Sequence, residues 1–280
     1  DIVQISGVLK DIRSSYNNKE KIFILTTTPY VELLSTCPYI DAVLIDKRLP
    51  RWNILYLFRL KRMIKKFNFS TIYDLQNSSR TSFYRKFLLK NYKWSSAETI
   101  LKKINKKEVI NENSVLDRFK FQLDNSNIKT NFTLKPDFSW ACANVDSTIN
   151  KYFGKNFIII FPFCSPSLPH KKWPYYNNLI NILKSRNSDL EVAVVPGKNE
   201  IEDAKNIQAI SITNKDRALN IMELAGVIKK SIFVIANDTG PAHMAAHLGK
   251  NGVVLFGYHT TPKKVSIETN TFKAITAKNL

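Results

Sequence analysis

The sequence predicts an α/β fold with parallel sheets, divided into two domains of similar size. Three observations lead there. Short β-branched runs such as Thr71–Leu75 and Ile232–Ala236 alternate with longer stretches of helical periodicity. The run Phe157-Ile158-Ile159-Ile160-Phe161 is apolar at every position, as a strand is when helices cover both faces of its sheet. A length of 280 residues exceeds one ordinary domain and suits two.

Residues 2–16 place Ile2, Ile5, Val8, Leu9 and Ile12 on one helical face. Strands are expected at Ile22–Leu25, Ala42–Ile45 and Thr71–Leu75, helices at Val31–Ser35 and Ile54–Phe67, and a polar loop from Gln76 to Arg80. Residues 91–130 are polar and lysine-rich with weak periodicity, and read as loops and small helices. Lys135-Pro136-Asp137 breaks regular structure, which sets the expected domains at 1–138 and 139–280. Beyond it, helices are expected at 175–186, Ile201–Ile207 and Ile221–Lys229. Strands are expected at Phe157–Phe161, Val192–Val195, Ala209–Ile212 and Ile232–Ala236, with Val253–Phe256 the last.

The formal net charge of +19 implies attraction to polyanions without saying which. The lysine excess is equally what an AT-rich genome produces in a chain also rich in asparagine and isoleucine. A basic nucleic-acid-binding module is therefore one reading, but no recognition-helix motif and no strand of interleaved aromatic and basic residues supports it. Cys37, Cys142 and Cys164 follow no paired spacing and are odd in number, which fits a reducing, cytoplasmic compartment. No apolar run is long enough to span a bilayer, and no N-terminal signal pattern is present. The chain starts at Asp1 without a methionine, so a fragment is expected.

Three loops at the carboxyl ends of predicted strands carry chemistry. Strand Ile232–Ala236 runs into Asn237-Asp238-Thr239-Gly240-Pro241-Ala242-His243 and a short helix that Gly249 can close. Gly240 permits close backbone approach, Pro241 suits a first helical turn, and the exposed amides with the helix dipole favour a pyrophosphate. The plainer reading is that Asp238 and Thr239 only cap the helix. After Phe161 come Ser165 and then Lys171-Lys172-Trp173-Pro174, opening the next helix. A lysine there can reach a phosphate, or the pair is merely solvated and Trp173 plugs the space under the helix. After Val195, Glu200 either accepts hydrogen bonds from a ribose or favours the helix that follows it. In an open parallel sheet all three loops face one crevice.

In combination these segments resemble the lipopolysaccharide heptosyltransferases, glycosyltransferase family nine. The resemblance rests on Asn237 to Ala246, Gly249, Val253-Val254-Leu255-Phe256-Gly257, Pro262, Lys171-Lys172-Trp173-Pro174 and Cys37-Pro38-Tyr39-Ile40-Asp41. It covers nearly the whole chain and is weakest over residues 84–130. It implies a GT-B arrangement of two Rossmann-like domains facing a central cleft, the first binding the acceptor and the second the nucleotide sugar. Against the family pattern, an N-terminal strand and a C-terminal helix are expected to be missing from this sequence. It implies inverting transfer of heptose from ADP-heptose to a lipopolysaccharide core or lipid A acceptor. A transferase using another nucleotide sugar or acceptor is the alternative.

The resemblance further implies that Asp1 is the catalytic base and that Lys171 stabilises the leaving diphosphate together with the amides of Thr239 and Gly240. Ser165, Glu200, Asp238 and His243 complete the expected nucleotide-sugar site, with Asp238 on sugar hydroxyls or loop amides and His243 facing the diphosphate. Gln76 and Arg80 are the acceptor candidates. No cofactor or metal is expected: no Asp-x-Asp pair is present, and His243 and His247 lack a third ligand at the required spacing. The family pattern is broken by Phe163-Cys164 before Ser165 and by Tyr258-His259-Thr260-Thr261. The stretch Trp52–Phe67, with Arg59, Lys61, Arg62, Lys65 and Lys66 beside Leu and Phe, packs on the sheet, lies on an anionic inner-membrane surface, or does both. The expected place is therefore cytoplasmic, peripheral on that membrane.

Overall fold

The computed structural model describes residues 2–16, 20–104, 114–154 and 156–277. Asp1, the expected base, lies outside them. The chain divides into two compact units, one of residues 5–135 and one from Pro136 onward, to which the residues before Ile5 also belong. Gln4 belongs there because its Nε2 donates to the Val265 carbonyl at 2.6 Å.

The first unit contains α1 (Ile5–Ser15), β1 (Phe23–Thr26), α2 (Val31–Ser35), β2 (Ala42–Ile45), α3 (Ile54–Lys65) and β3 (Thr71–Tyr73). It continues with α4 (Ser79–Phe83), a π-helical turn Tyr84–Leu88, β4 (Lys93–Ser95), α5 (Ala97–Ile104) and α6 (Val115–Asp124). β1 and β2 pair in parallel with Phe23 opposite Ala42, and β3 and β4 in parallel with Thr71 opposite Lys93. One apolar cluster joins Val8 and Ile12 of α1 to Leu116, Phe119 and Leu123 of α6. Another joins Leu57, Leu60 and Ile64 of α3 to Tyr84, Leu88 and Leu89.

Among the described residues, 91–130 hold two helices, as expected, and a strand, β4, that was not. Their core contains a polar residue, which hides the apolar period. Buried Gln122 donates through Nε2 to the carbonyls of Asp74 at 3.1 Å and Ser95 at 2.9 Å. The expected loop at Gln76–Arg80 also ends early, because Ser78 and Thr81 form a capping box that starts α4 and puts Arg80 in its first turn.

Two carboxylates tie this unit together. Asp41, within Cys37-Pro38-Tyr39-Ile40-Asp41, accepts the Ile22 amide at 2.6 Å and the Arg13 guanidinium, and these hold its carboxyl below the usual range. That motif is a brace between α1, β1 and β2. Asp11 of α1 is fully buried and accepts the amides of Asn131 and Phe132 at 3.0 Å and of Thr133 at 2.7 Å, with the Thr133 hydroxyl at 2.6 Å.

The second unit contains α7 (Asp146–Tyr152), β5 (Phe157–Phe161), α8 (Tyr176–Arg186), β6 (Glu191–Val194), α9 (Ile201–Ala204) and β7 (Ile210–Ser211). Then follow α10 (Ile221–Lys230), β8 (Phe233–Asn237), α11 (Gly240–His247), β9 (Gly252–Phe256), α12 (Pro262–Val265) and β10 (Phe272–Thr276). The six strands form one parallel sheet in the order β10-β9-β8-β5-β6-β7. This is the doubly wound order, and its direction of winding reverses between β5 and β8. β5 is buried at every position, as its composition requires. β10 was not expected: it is an edge strand that buries Phe272 and turns Lys273 and Ile275 outward, so it lacks a core strand's apolar run. Gly249, with φ +69, closes α11 in the left-handed region that favours glycine.

Replacing Asp11 by alanine strands three amides and a hydroxyl, of which the amide and hydroxyl of Thr133 are buried. An unsatisfied buried donor costs about 1–3 kcal/mol, so Asp11→Ala is expected to destabilise the chain by about 3 kcal/mol, read as a lower midpoint of urea unfolding by circular dichroism.

Candidate functional site

In a doubly wound sheet the strands on either side of the switch point send their loops apart, leaving a crevice at their carboxyl ends. Here the crevice lies between the loops after β5 and β8. Asn237, the last residue of β8, is fully buried and bridges them. Its Nδ2 donates to the Pro162 carbonyl at 3.0 Å, and its Oδ1 accepts from the Tyr176 hydroxyl at 3.0 Å and the Trp173 amide at 3.3 Å. Trp173 packs partly buried against the core, edge-on to Tyr176 at 5.1 Å between ring centres, so the plug expected of it is real.

Asp238 is buried and gathers three nitrogens. Lys171 Nζ donates to its Oδ2 at 2.7 Å and to its carbonyl at 3.3 Å. His259 Nε2 lies 2.9 Å from the same Oδ2, and His243 Nε2 lies 3.8 Å from Oδ1. Burial pushes the Asp238 carboxyl up, but Lys171 and His259 outweigh it and leave it below its ordinary value. Its protein partners are thus side chains from two other loops. Lys171 ends a 3₁₀ turn, Pro169–Lys171, and α8 follows at Tyr176–Arg186, within one residue of the expected start.

Neither Asp238 nor Thr239 caps α11 with its side chain. Thr239 occupies the N-cap position in extended conformation, and its hydroxyl bonds to the Asn237 carbonyl at 3.3 Å. Gly240 is exposed, and a side chain there would meet no protein atom within 4 Å, so the mouth of the helix is open. The first-turn amides of a helix have no intrahelical acceptor and attract anions.

His243 and His247 are both buried on α11, their rings 6.4 Å apart. Burial drives His243 down to about 4, against the opposing pull of Asp238, and drives His247 down to about 3. Both are neutral near pH 7. Among the described residues no group of three or more His, Cys, Asp or Glu side chains is arranged to hold a metal.

Glu200 follows β6 and folds back, accepting the Gly197 amide on Oε2 at 2.7 Å. It therefore braces its own loop, with no side-chain cap on α9. Burial raises its carboxyl above the ordinary value against that hydrogen bond. Ser165 is exposed in the loop after β5, its hydroxyl 2.8 Å from that of Ser167. Phe163 is buried in the core, and the Cys164 thiol, raised first by burial, feels the charges of Lys172, Glu200 and Lys171. The loops after β5, β6 and β8 leave the carboxyl ends of neighbouring parallel strands and so lie along one edge of the sheet.

The sequence missed His259. It follows β9, lies stacked 6.0 Å from Phe256 and 5.3 Å from His170, and its Nδ1 is buried without a protein partner. The signal for it was its place after a strand's carboxyl end, in the segment that departs from the family pattern.

In the first unit, Gln76 Oε1 accepts from Arg48 Nη2 at 2.6 Å, and Arg80 Nε donates to the Tyr84 hydroxyl at 2.6 Å. Buried Asp46 anchors the group. It accepts the Arg48 amide at 2.7 Å and the Tyr84 hydroxyl at 2.9 Å, takes the Tyr56 hydroxyl, and lies 3.8 Å from Arg80 Nε. Arg51 donates to the Ser79 hydroxyl at 2.8 Å. Arg48 holds φ +50, an uncommon value for a residue with a long side chain, fixed here by the bond from its amide to Asp46. Arg48 and Arg51 join Gln76 and Arg80 as a cationic group that the sequence only half revealed.

The sequence profile of glycosyltransferase family 9 (heptosyltransferase) matches residues 57–277. The chain belongs to that family. It is a glycosyltransferase. It is 24% identical over 279 residues to the lipopolysaccharide core heptosyltransferase OpsX of Haemophilus influenzae, covering 92% of this chain and 76% of that one. The solved family 9 glycosyltransferase of Veillonella parvula superposes with a TM-score of 0.77 at 15% identity, over 99% of this chain and 82% of that one. The Escherichia coli heptosyltransferase WaaC, solved with ADP, gives 0.71 at 13% identity, over 99% and 89%. The fold is of the GT-B type shared by these glycosyltransferases.

The histidine pair sets a pH dependence. Because the folded pKa of His247 lies at about 3, below its ordinary 6.5, the unfolded chain binds the extra proton. The stability this neutral state contributes is complete above about pH 6.5 and is lost as pH falls. His247→Leu is expected to flatten the fall in unfolding free energy between about pH 7 and pH 4.5 in urea titrations, and an unchanged slope would place the acid sensitivity elsewhere.

Proposed function

We propose that this family 9 enzyme transfers heptose from ADP-heptose to the core of a lipopolysaccharide acceptor, with inversion and without a metal or cofactor. The observation that carries the reading is the Lys171–Asp238 pair beside the open start of α11, at the switch point of the second unit. An ammonium group has three donors, and Asp238 engages Lys171 twice, through Oδ2 and the carbonyl. The third is available to a diphosphate that also meets the amides of Thr239 and Gly240. The names of the relatives support the choice of sugar and acceptor: the Haemophilus protein is a lipopolysaccharide core heptosyltransferase, and the Escherichia enzyme was solved with ADP.

In the proposed reaction the acceptor hydroxyl attacks the anomeric carbon from the face opposite the diphosphate, and its proton passes to a carboxylate, for which Asp1 is the candidate. The bond from that carbon to the phosphate oxygen breaks, and ADP leaves with the electron pair. Lys171 and the helix amides stabilise the charge that gathers on it. Asp238 and His259 position Lys171, Glu200 Oε1 serves the ribose, Ser165 lines the phosphate side, and neutral His243 backs Asp238. The first unit takes the acceptor, with Arg48, Arg51, Arg80 and Gln76 meeting its anionic groups. The three free cysteines suit the reducing cytoplasmic side of the inner membrane, where a lipid-borne acceptor would be met.

ADP is expected to raise the melting temperature more than UDP or GDP does. Lys171→Ala is expected to weaken ADP binding at least about tenfold by calorimetry, the loss of one charge-assisted hydrogen bond. Mass spectrometry of products from a panel of ADP- and UDP-sugars with a lipid A core acceptor tests the donor. Product from a UDP-sugar alone would move the enzyme to the alternative donor class.

A further inference from the structure

Helix α3 is apolar on two sides. Its inner side, Leu57, Leu60 and Ile64, is buried in the first unit's core. Its outer side is not covered. Trp52 is 80% exposed, Ile54 77%, Leu55 61% and Phe58 64%, so four large apolar side chains within seven residues face solvent at the start of the helix. A soluble surface rarely concentrates such residues without a partner.

The charge beside them identifies the partner. With 3.6 residues per turn, Leu55, Phe58, Arg59, Arg62 and Lys66 share the outward face, apolar in its first half and cationic in its second. Arg59, Arg62, Lys65 and Lys66 are all exposed, and the helix contains no acidic residue. Arg51 precedes it, and Asn53 caps it by accepting the Tyr56 amide at 2.9 Å, which fixes the direction in which the apolar end projects. An apolar end flanked on one side by cations matches the boundary between acyl chains and anionic headgroups. Among the described residues no helix is long and apolar enough to cross a membrane, so the contact would be at the surface.

We propose that Trp52, Ile54, Leu55 and Phe58 form a wedge that enters an anionic lipid bilayer, with Arg59, Arg62, Lys65 and Lys66 on its phosphate headgroups. This deepens the reading that the acceptor is lipid-borne and rests on it for its purpose. Binding itself needs neither donor nor acceptor, so either claim can fail alone.

The test uses the full chain in flotation with vesicles of phosphatidylcholine, with and without phosphatidylglycerol. Binding is expected only with the anionic lipid, weakening as salt is raised. The triple variant Ile54→Ser, Leu55→Ser, Phe58→Ser changes only exposed side chains. It is expected to bind at least about tenfold more weakly, with unchanged melting temperature and unchanged turnover of a soluble, acyl-free acceptor. Arg59→Gln with Arg62→Gln is expected to reduce both binding and its salt dependence. Unchanged binding of the triple variant, or equal binding to neutral vesicles, would overturn the proposal. So would a wild-type dimer that the triple variant dissociates, since a second copy would then be what covers the wedge.

Discussion

A doubly wound sheet opens where its winding reverses, and that opening must be held apart without being filled. Asn237 and Asp238 do this in the second unit, two polar residues buried in succession at the end of β8. Asn237 spends its amide on the backbone of the β5 loop and on Trp173 and Tyr176, fixing where the next helix begins. Asp238 is then left to draw in Lys171 and His259 from loops distant in sequence. Lys171 is the cation that compensates this buried carboxylate, and removing it would leave the charge of Asp238 unpaired, whereas His259 adds a hydrogen bond to the same oxygen. The cation is thereby aimed before any ligand arrives, which lowers the ordering cost of binding.

The first unit solves a different problem with similar means. Its polar anchors are also carboxylates, Asp11 and Asp46 buried and Asp41 exposed, but each accepts backbone amides and so stiffens a connection. Around Asp46 that stiffening carries Arg48, Arg80 and two tyrosines, so a cationic cluster rests on an anionic pivot. The arginines are held by neutral acceptors, Gln76 and Ser79, as well as by Asp46, and this keeps the surface cationic.

Much of this was legible in the sequence where the physics is local. β2 and β5 appear where β-branched runs placed them, and β5, buried at every position, must be apolar throughout. The loop from Asn237 to His243 reads as an anion site because glycine and proline there have few other uses. What stayed hidden depends on distance. Gln122 blurred the bounds of α6 within a stretch read only as loops and small helices, by putting an amide in the core, and β10 hid at a sheet edge where alternate residues face water. That Asp238 would meet Lys171 and His259 follows from three loops meeting, and no spacing within one loop encodes it.

The central claim is that the switch-point crevice, with Lys171 already paired to Asp238, receives the diphosphate of an activated sugar. A crystal structure of the chain with ADP tests it most directly. The account predicts a β-phosphate oxygen within about 3 Å of Lys171 Nζ and of the amides at the start of α11. ADP seated elsewhere, with the Lys171–Asp238 pair untouched and facing only water, would contradict it.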